Sequence, residues 1–107
     1  PDIRRMLLTM RAYNEGNRMF AAWVSQKIDF EHRSADPQVR QDANDFIQLM
    51  TPIVKAFFTD VGFECTNTAV QVLGGYGYIH DYGLEQFVRD ARIAQIYEGT
   101  NGIQALD

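Results

Sequence analysis

The sequence is short of several features that define other protein classes. It has one cysteine, Cys65, in 107 residues; that excludes an internal disulfide and makes a reducing compartment the default. Lys and Arg number 10 against 14 Asp and Glu, a formal net charge of −4. Such a balance offers no basic face for nucleic acid or an anionic membrane. No apolar run approaches the ~18 residues of a bilayer span, and no signal peptide opens the chain. There is no internal repeat, no low-complexity tract and no sustained alternation of polar and apolar residues. What is present is ordinary for a globular domain, with 46% apolar and 22% charged residues. A domain of this length buries roughly 65% of its unfolded surface, so a compact core is expected without staples. The chain begins at Pro1 rather than Met and reads as a piece of something longer.

The helical apolar period dominates. From about Ile3 to Phe30 the residues Ile3, Met6, Leu7, Met10, Tyr13, Phe20, Val24 and Ile28 form one stripe, with Asp2 as the expected N-cap. Glu31 to Pro37 is a polar connection, and Asp36-Pro37 is an N-cap and N1 pair that starts a second helix. Proline disfavours helical geometry in the residue before it, so Thr51-Pro52 predicts a break and a third helix running to Gly74-Gly75. A fourth helix is predicted from Leu84 to Tyr97, with Leu84, Phe87, Val88 and Ala91 inward, and Thr100 caps a last short one. The expected fold class is all-α, an antiparallel four-helix bundle forming one domain over residues 1–107.

Several kinds of chemistry are excluded or weak. None of the Glu residues has a His three positions on, and His32 and His80 both fall in loops, which argues against a metal centre. Cys65 lies on an apolar stripe, the place of an inert thiol. His80-Asp81 has the form of a base and its orienter but fits a solvated turn equally well. Two passages carry more. Gly74, Gly75 and Gly77 exceed what one helix cap needs, and glycine lets backbone approach a ligand closely, with Gln71 one turn earlier. At Glu98 a carboxylate follows Ile96 and Tyr97 at a helix end. An apolar setting there would raise its pKa and suit it to general-base work, with Gly99 freeing the backbone and Thr100 opening the next helix. The bland alternatives, a helix stop and a solvated Glu, stay open on these residues alone.

Taken together, Gln71-x-x-Gly74-Gly75-x-Gly77-Tyr78, then Arg89-Asp90-Ala91-Arg92-Ile93, then Ile96-Tyr97-Glu98-Gly99-Thr100-Asn101-Gly102-Ile103-Gln104 resemble the C-terminal helical domain of acyl-CoA dehydrogenases. The interval from Gln71 to Glu98 is also the family's. The opening Pro1-Asp2-Ile3-Arg4-Arg5-Met6-Leu7 is similar to the longer bacterial subgroup that includes 3-methylmercaptopropionyl-CoA dehydrogenase. The resemblance implies a fragment of a longer flavoenzyme that carries FAD and oxidises an acyl-CoA thioester. Glu98 is then the catalytic base. Gln71, Gly74 and Gly75 approach a flavin held mainly by the neighbouring subunit. Thr100 and Gln104 contact flavin, and Tyr97 and Gly99 line the thioester end of the acyl pocket. Arg89 and Asp90 are structural, paired within the bundle. The implied partners are the acyl-CoA substrate, an electron-transfer flavoprotein or similar acceptor, and further copies of the subunit in a homodimer or tetramer. An acyl-CoA oxidase domain and a non-catalytic helical oligomerisation module are the alternatives. The family often has Tyr-Pro where this chain has Tyr82-Gly83, and many relatives carry a side chain where Gly102 stands.

Overall fold

The computed structural model describes residues 1–106, and among them there are helices and turns with no strand. The all-α class expected from the apolar period is the class observed. Helix α1 spans Asp2–Arg33, α2 Pro37–Val72, α3 Gly75–Tyr78, α4 Leu84–Arg92 and α5 Asn101–Leu106. Single 3-10 turns follow α3 (His80–Tyr82) and α4 (Ile93–Gln95). The long pair α1 and α2 packs as a hairpin, and α3, α4 and α5 all lean on α2.

The α1–α2 turn is built as its residues dictate. The Asp36 carboxylate accepts from the Gln38 N–H at 2.9 Å, and Pro37 takes the first helical position. Arg40 Nη1 donates back to the Ser34 carbonyl at 2.8 Å and fastens the connection. At the other end of α1 the N-cap is Pro1 rather than Asp2, whose carboxylate lies inside the first turn and pairs with Arg5 at 2.8 Å.

The predicted break at Thr51-Pro52 does not occur. Pro52 lies inside α2, which runs unbroken to Val72. Proline removes one backbone donor there. Packing on both sides holds the helix across the gap: Phe46 meets Trp23 of α1 edge-on at 4.8 Å, and Phe58 meets Phe20 edge-on at 5.6 Å. The predicted third helix is therefore the second half of α2. The fourth is shorter than expected, giving way after Arg92 to a 3-10 turn. Phe87, placed inward by its spacing, is exposed.

The compact core expected from length is also absent. Among the described residues only Met6, Ala43, Val61 and Gly77 are buried. The radius of gyration is 17.4 Å, against roughly 13 Å for a globular domain of this length. The molecule is a rod of 56 × 28 × 21 Å. By length and composition alone α2 would pass for a bilayer span, with an apolar window of mean hydropathy 1.2, although no uninterrupted apolar run marks it. Its polar residues Lys55, Thr59 and Asp60 instead receive the chain after α4.

Candidate functional site

Both regions singled out in the sequence are mounted on α2. The first is at its C-terminal end. Gln71 is exposed in the last turn, and the Gly74 N–H returns to the Gln71 carbonyl at 3.0 Å. Gly74 has φ +58°, a conformation that side chains avoid. Nothing lies within 4 Å of where a Cβ on Gly74 or Gly75 would sit, so this backbone is open to close approach from outside. Gly77 is different. A Cβ there would run into the Val70 carbonyl, so this glycine seats α3 on α2 and has no free face for a ligand. An open recess of about 500 Å³ beside the turn is lined by Asn67, Val70, Tyr78, His80, Glu85 and Arg89 among others. His80 Nδ1 pairs there with Glu85 at 2.8 Å rather than with Asp81. Asp90 accepts from Gln86 at 2.8 Å, a bond within α4.

The second region is the turn between α4 and α5. Glu98 has φ +57° and Gly99 φ +82°, two left-handed residues in succession. For Gly99 this is free, but for Glu98 it costs on the order of 1 kcal/mol and persists only where the surroundings hold it. Those surroundings are specific. Lys55 Nζ donates to the Gly99 carbonyl at 2.7 Å and to Asn101 Oδ1 at 2.8 Å. The Asn101 amide donates to Thr59 Oγ1 at 3.0 Å and to Asp60 Oδ1 at 2.6 Å. Gln95 reaches the same Asp60 oxygen at 2.8 Å. From the other side, Gln104 Nε2 donates to the Glu98 carbonyl at 2.9 Å. Thr100 Oγ1 accepts from the Ile103 N–H at 3.3 Å and so caps α5.

Sequence reasoning missed this clamp of Lys55, Thr59, Asp60, Gln95 and Asn101. A signal was present: Lys55 and Thr59 stand four residues apart on one face of α2, with Asp60 next to them in sequence. Two expectations need correction. The apolar setting for Glu98 is not formed by this chain, since Ile96, Tyr97 and Glu98 are all exposed. The two regions are also not one pocket. The Glu98 turn is fastened at Lys55, and Gln71 lies roughly 24 Å further along α2 at 1.5 Å per residue. Cys65, between them, is half-buried, and burial followed by the Glu64 carboxylate pushes its thiol pKa up, which suits an inert packing residue.

An all-α hairpin with a carboxylate held in a left-handed turn and an open glycine turn at the far end of the same helix defines a recognisable class of domain. Residues 1–107 match the family described as "Acyl-CoA dehydrogenase, C-terminal domain", and the chain belongs to the acyl-CoA dehydrogenase family of oxidoreductases. Three relatives are similar over the chain. 3-Methylmercaptopropionyl-CoA dehydrogenase of Ruegeria pomeroyi is 43% identical over 107 residues, covering 100% of this chain and 18% of the relative. Butyryl-CoA dehydrogenase of Syntrophomonas wolfei is 38% identical, with 99% and 17% covered. Broad-specificity linear acyl-CoA dehydrogenase FadE5 of Mycobacterium tuberculosis is 37% identical, with 100% and 18% covered. The chain thus spans less than a fifth of the length of the curated relatives it matches.

Proposed function

We propose that this chain is the base-bearing, FAD-facing domain of a longer acyl-CoA dehydrogenase, at work in the bacterial cytoplasm as a homodimer or tetramer. The observation that carries the reading is the strained Glu98–Gly99 turn, fixed from beneath by Lys55 and from the side by Gln104. A surface glutamate has no need of such a turn, whereas a base must be aimed.

In this reading Glu98 removes the α-proton of an acyl-CoA thioester while the β-hydrogen leaves as hydride, giving the enoyl thioester. FAD, when bound, would supply the hydride acceptor, and the onward partner of the parent enzyme would be an electron-transfer flavoprotein or similar acceptor. Tyr97 and Gly99 flank the base at the thioester end. Because Ile96, Tyr97 and Glu98 are exposed on this chain, the remainder of the enzyme and the acyl chain itself exclude the water that would weaken the base.

The residues fit a flavin at both regions. The uncovered Gly74–Gly75 backbone lets an adenosine diphosphate group approach without steric conflict, and the exposed Gln71 amide offers it a donor and an acceptor. Thr100 uses its oxygen as an acceptor and keeps its hydroxyl proton to donate. Gln104 has one N–H on the Glu98 carbonyl, which leaves Oε1 and its second N–H for flavin. The roughly 24 Å between the regions supports a division in which Thr100 meets one flavin and the Gln71 turn meets that of the neighbouring subunit.

The test is Glu98→Gln in the full-length parent enzyme. The expected result is stoichiometric FAD with turnover reduced on the order of 10³-fold, within the range of general-base contributions. Flavin absorbance would no longer bleach rapidly on adding acyl-CoA. A variant that oxidises acyl-CoA at the parent's rate refutes the assignment.

A further inference from the structure

We infer that Lys55 is a positioning residue for the reaction, acting on the base through the backbone of the next residue. The inference rests on the reading of Glu98 as base. Lys55 is part-buried on α2, and its ammonium bonds the Gly99 carbonyl and the Asn101 side chain at 2.7 and 2.8 Å. These two acceptors bracket Thr100, so one cation fixes the chain on both sides of the residue that caps α5. The Gly99 carbonyl belongs to the Gly99–Thr100 peptide, one unit beyond the Glu98–Gly99 peptide that Gln104 holds. Its direction is set by the ψ of a residue at φ +82°, in a region where backbone alone does not choose one orientation.

Charge makes this bond stronger than a neutral hydrogen bond in a half-buried setting. Asn101 is itself held by Thr59 and Asp60, so Lys55 works against a fixed anchor and not a mobile loop. Gln104 holds the Glu98 carbonyl from the other side, but it lies on the short helix α5 and moves with it. Lys55, Thr59 and Asp60, on α2, hydrogen-bond that helix and the turn to the long hairpin. Removing the ammonium leaves Glu98 attached yet free to swing, and a base displaced by about 1 Å can lose on the order of 10²-fold in rate.

The experiment compares Lys55→Met and Lys55→Arg in the full-length holoenzyme, with turnover expressed per bound flavin. Lys55→Met is expected to lower kcat 10- to 100-fold with KM for acyl-CoA within threefold of the parent. It should also raise the kinetic isotope effect on the α-deuterated substrate, since proton removal becomes slower. Amide exchange over the 96–104 peptide should quicken at least tenfold, a readout that does not depend on turnover. Lys55→Arg, which keeps a charged donor, should recover at least half of the loss. Should Lys55→Met yield no flavin-loaded protein, Lys55→Gln, with one remaining N–H donor, is read in the same way. Unchanged kcat per flavin, or unchanged exchange at 96–104, overturns the inference. If Glu98→Gln is inactive while Lys55→Met keeps the parent's kcat, the positioning role falls alone. If Glu98→Gln keeps full activity, the base assignment falls first and takes this role with it.

Discussion

At Gly77 a hydrogen is the largest side group that fits, because the Val70 carbonyl occupies the space a methyl would take. Gly75, two residues earlier, faces open space and has no positive φ. The pair separates packing from ligand approach. Gly77→Ala is expected to destabilise the protein by about 1–3 kcal/mol, the usual penalty of overpacking, read as a lower midpoint in urea unfolding of the parent enzyme. Gly75→Ala should leave the midpoint of the flavin-free protein unchanged while weakening FAD binding. The cluster of glycines was legible in the sequence, but not this division of labour, since nothing in Gly-Gly-Tyr-Gly says which glycine meets Val70. Glu98 teaches a related lesson. Its position beside Gly99 marked it out, yet Ile96 and Tyr97 did not make it apolar, because both turn their side chains to solvent on this chain.

Among the elements, α2 shows where a local signal is sufficient and where packing overrides it. Asp36-Pro37 and Thr51-Pro52 are the same kind of pair, a short polar residue before a proline. Asp36 points forward and accepts from Gln38 N–H, as a cap must. Thr51 points backward and donates to the Ile47 carbonyl at 2.7 Å, a bond available only inside a helix already formed. The sequence cannot distinguish the two, since the choice is made by Phe46 and Phe58 packing against α1 on either side of Pro52. Asp36→Ala should therefore cost about 1 kcal/mol of stability through the lost cap, checked by thermal or denaturant unfolding. Asp36→Asn should recover most of it. The pairing within the clamp on the Glu98 turn was hidden for a different reason: the polar residues of α2 were in view, but Lys55 and Asn101 are distant in sequence, and only the return of the chain after α4 brings them together.

For the molecule as a whole, the governing fact is how little of it is covered. Met19 is 74% exposed, Leu49 64%, Leu8 58% and Ile103 59%, on three different helices. A monomeric domain rarely leaves so much apolar surface open. The 107-residue chain produced alone is accordingly expected to self-associate and bind a hydrophobic dye, and to show no acyl-CoA oxidation with an artificial electron acceptor. Sedimentation velocity and a dye-reduction assay check both. A well-behaved, dye-negative monomer, or measurable turnover, would contradict this picture. Length and composition pointed to a compact core because they count apolar residues without saying which neighbour buries them.

The unbroken run of α2 from Lys55 to Gln71 has a consequence for how this fold tolerates change. A helix is a screw as well as a strut: one inserted residue swings everything beyond it by about 100° while advancing it only 1.5 Å. The glycine end would then face a different direction although every side chain on it was intact. Seven added residues bring the facing back to within about 20° but overshoot by about 10 Å. The distance between the two ends and their mutual phase are thus locked together, and no insertion or deletion in that stretch preserves both.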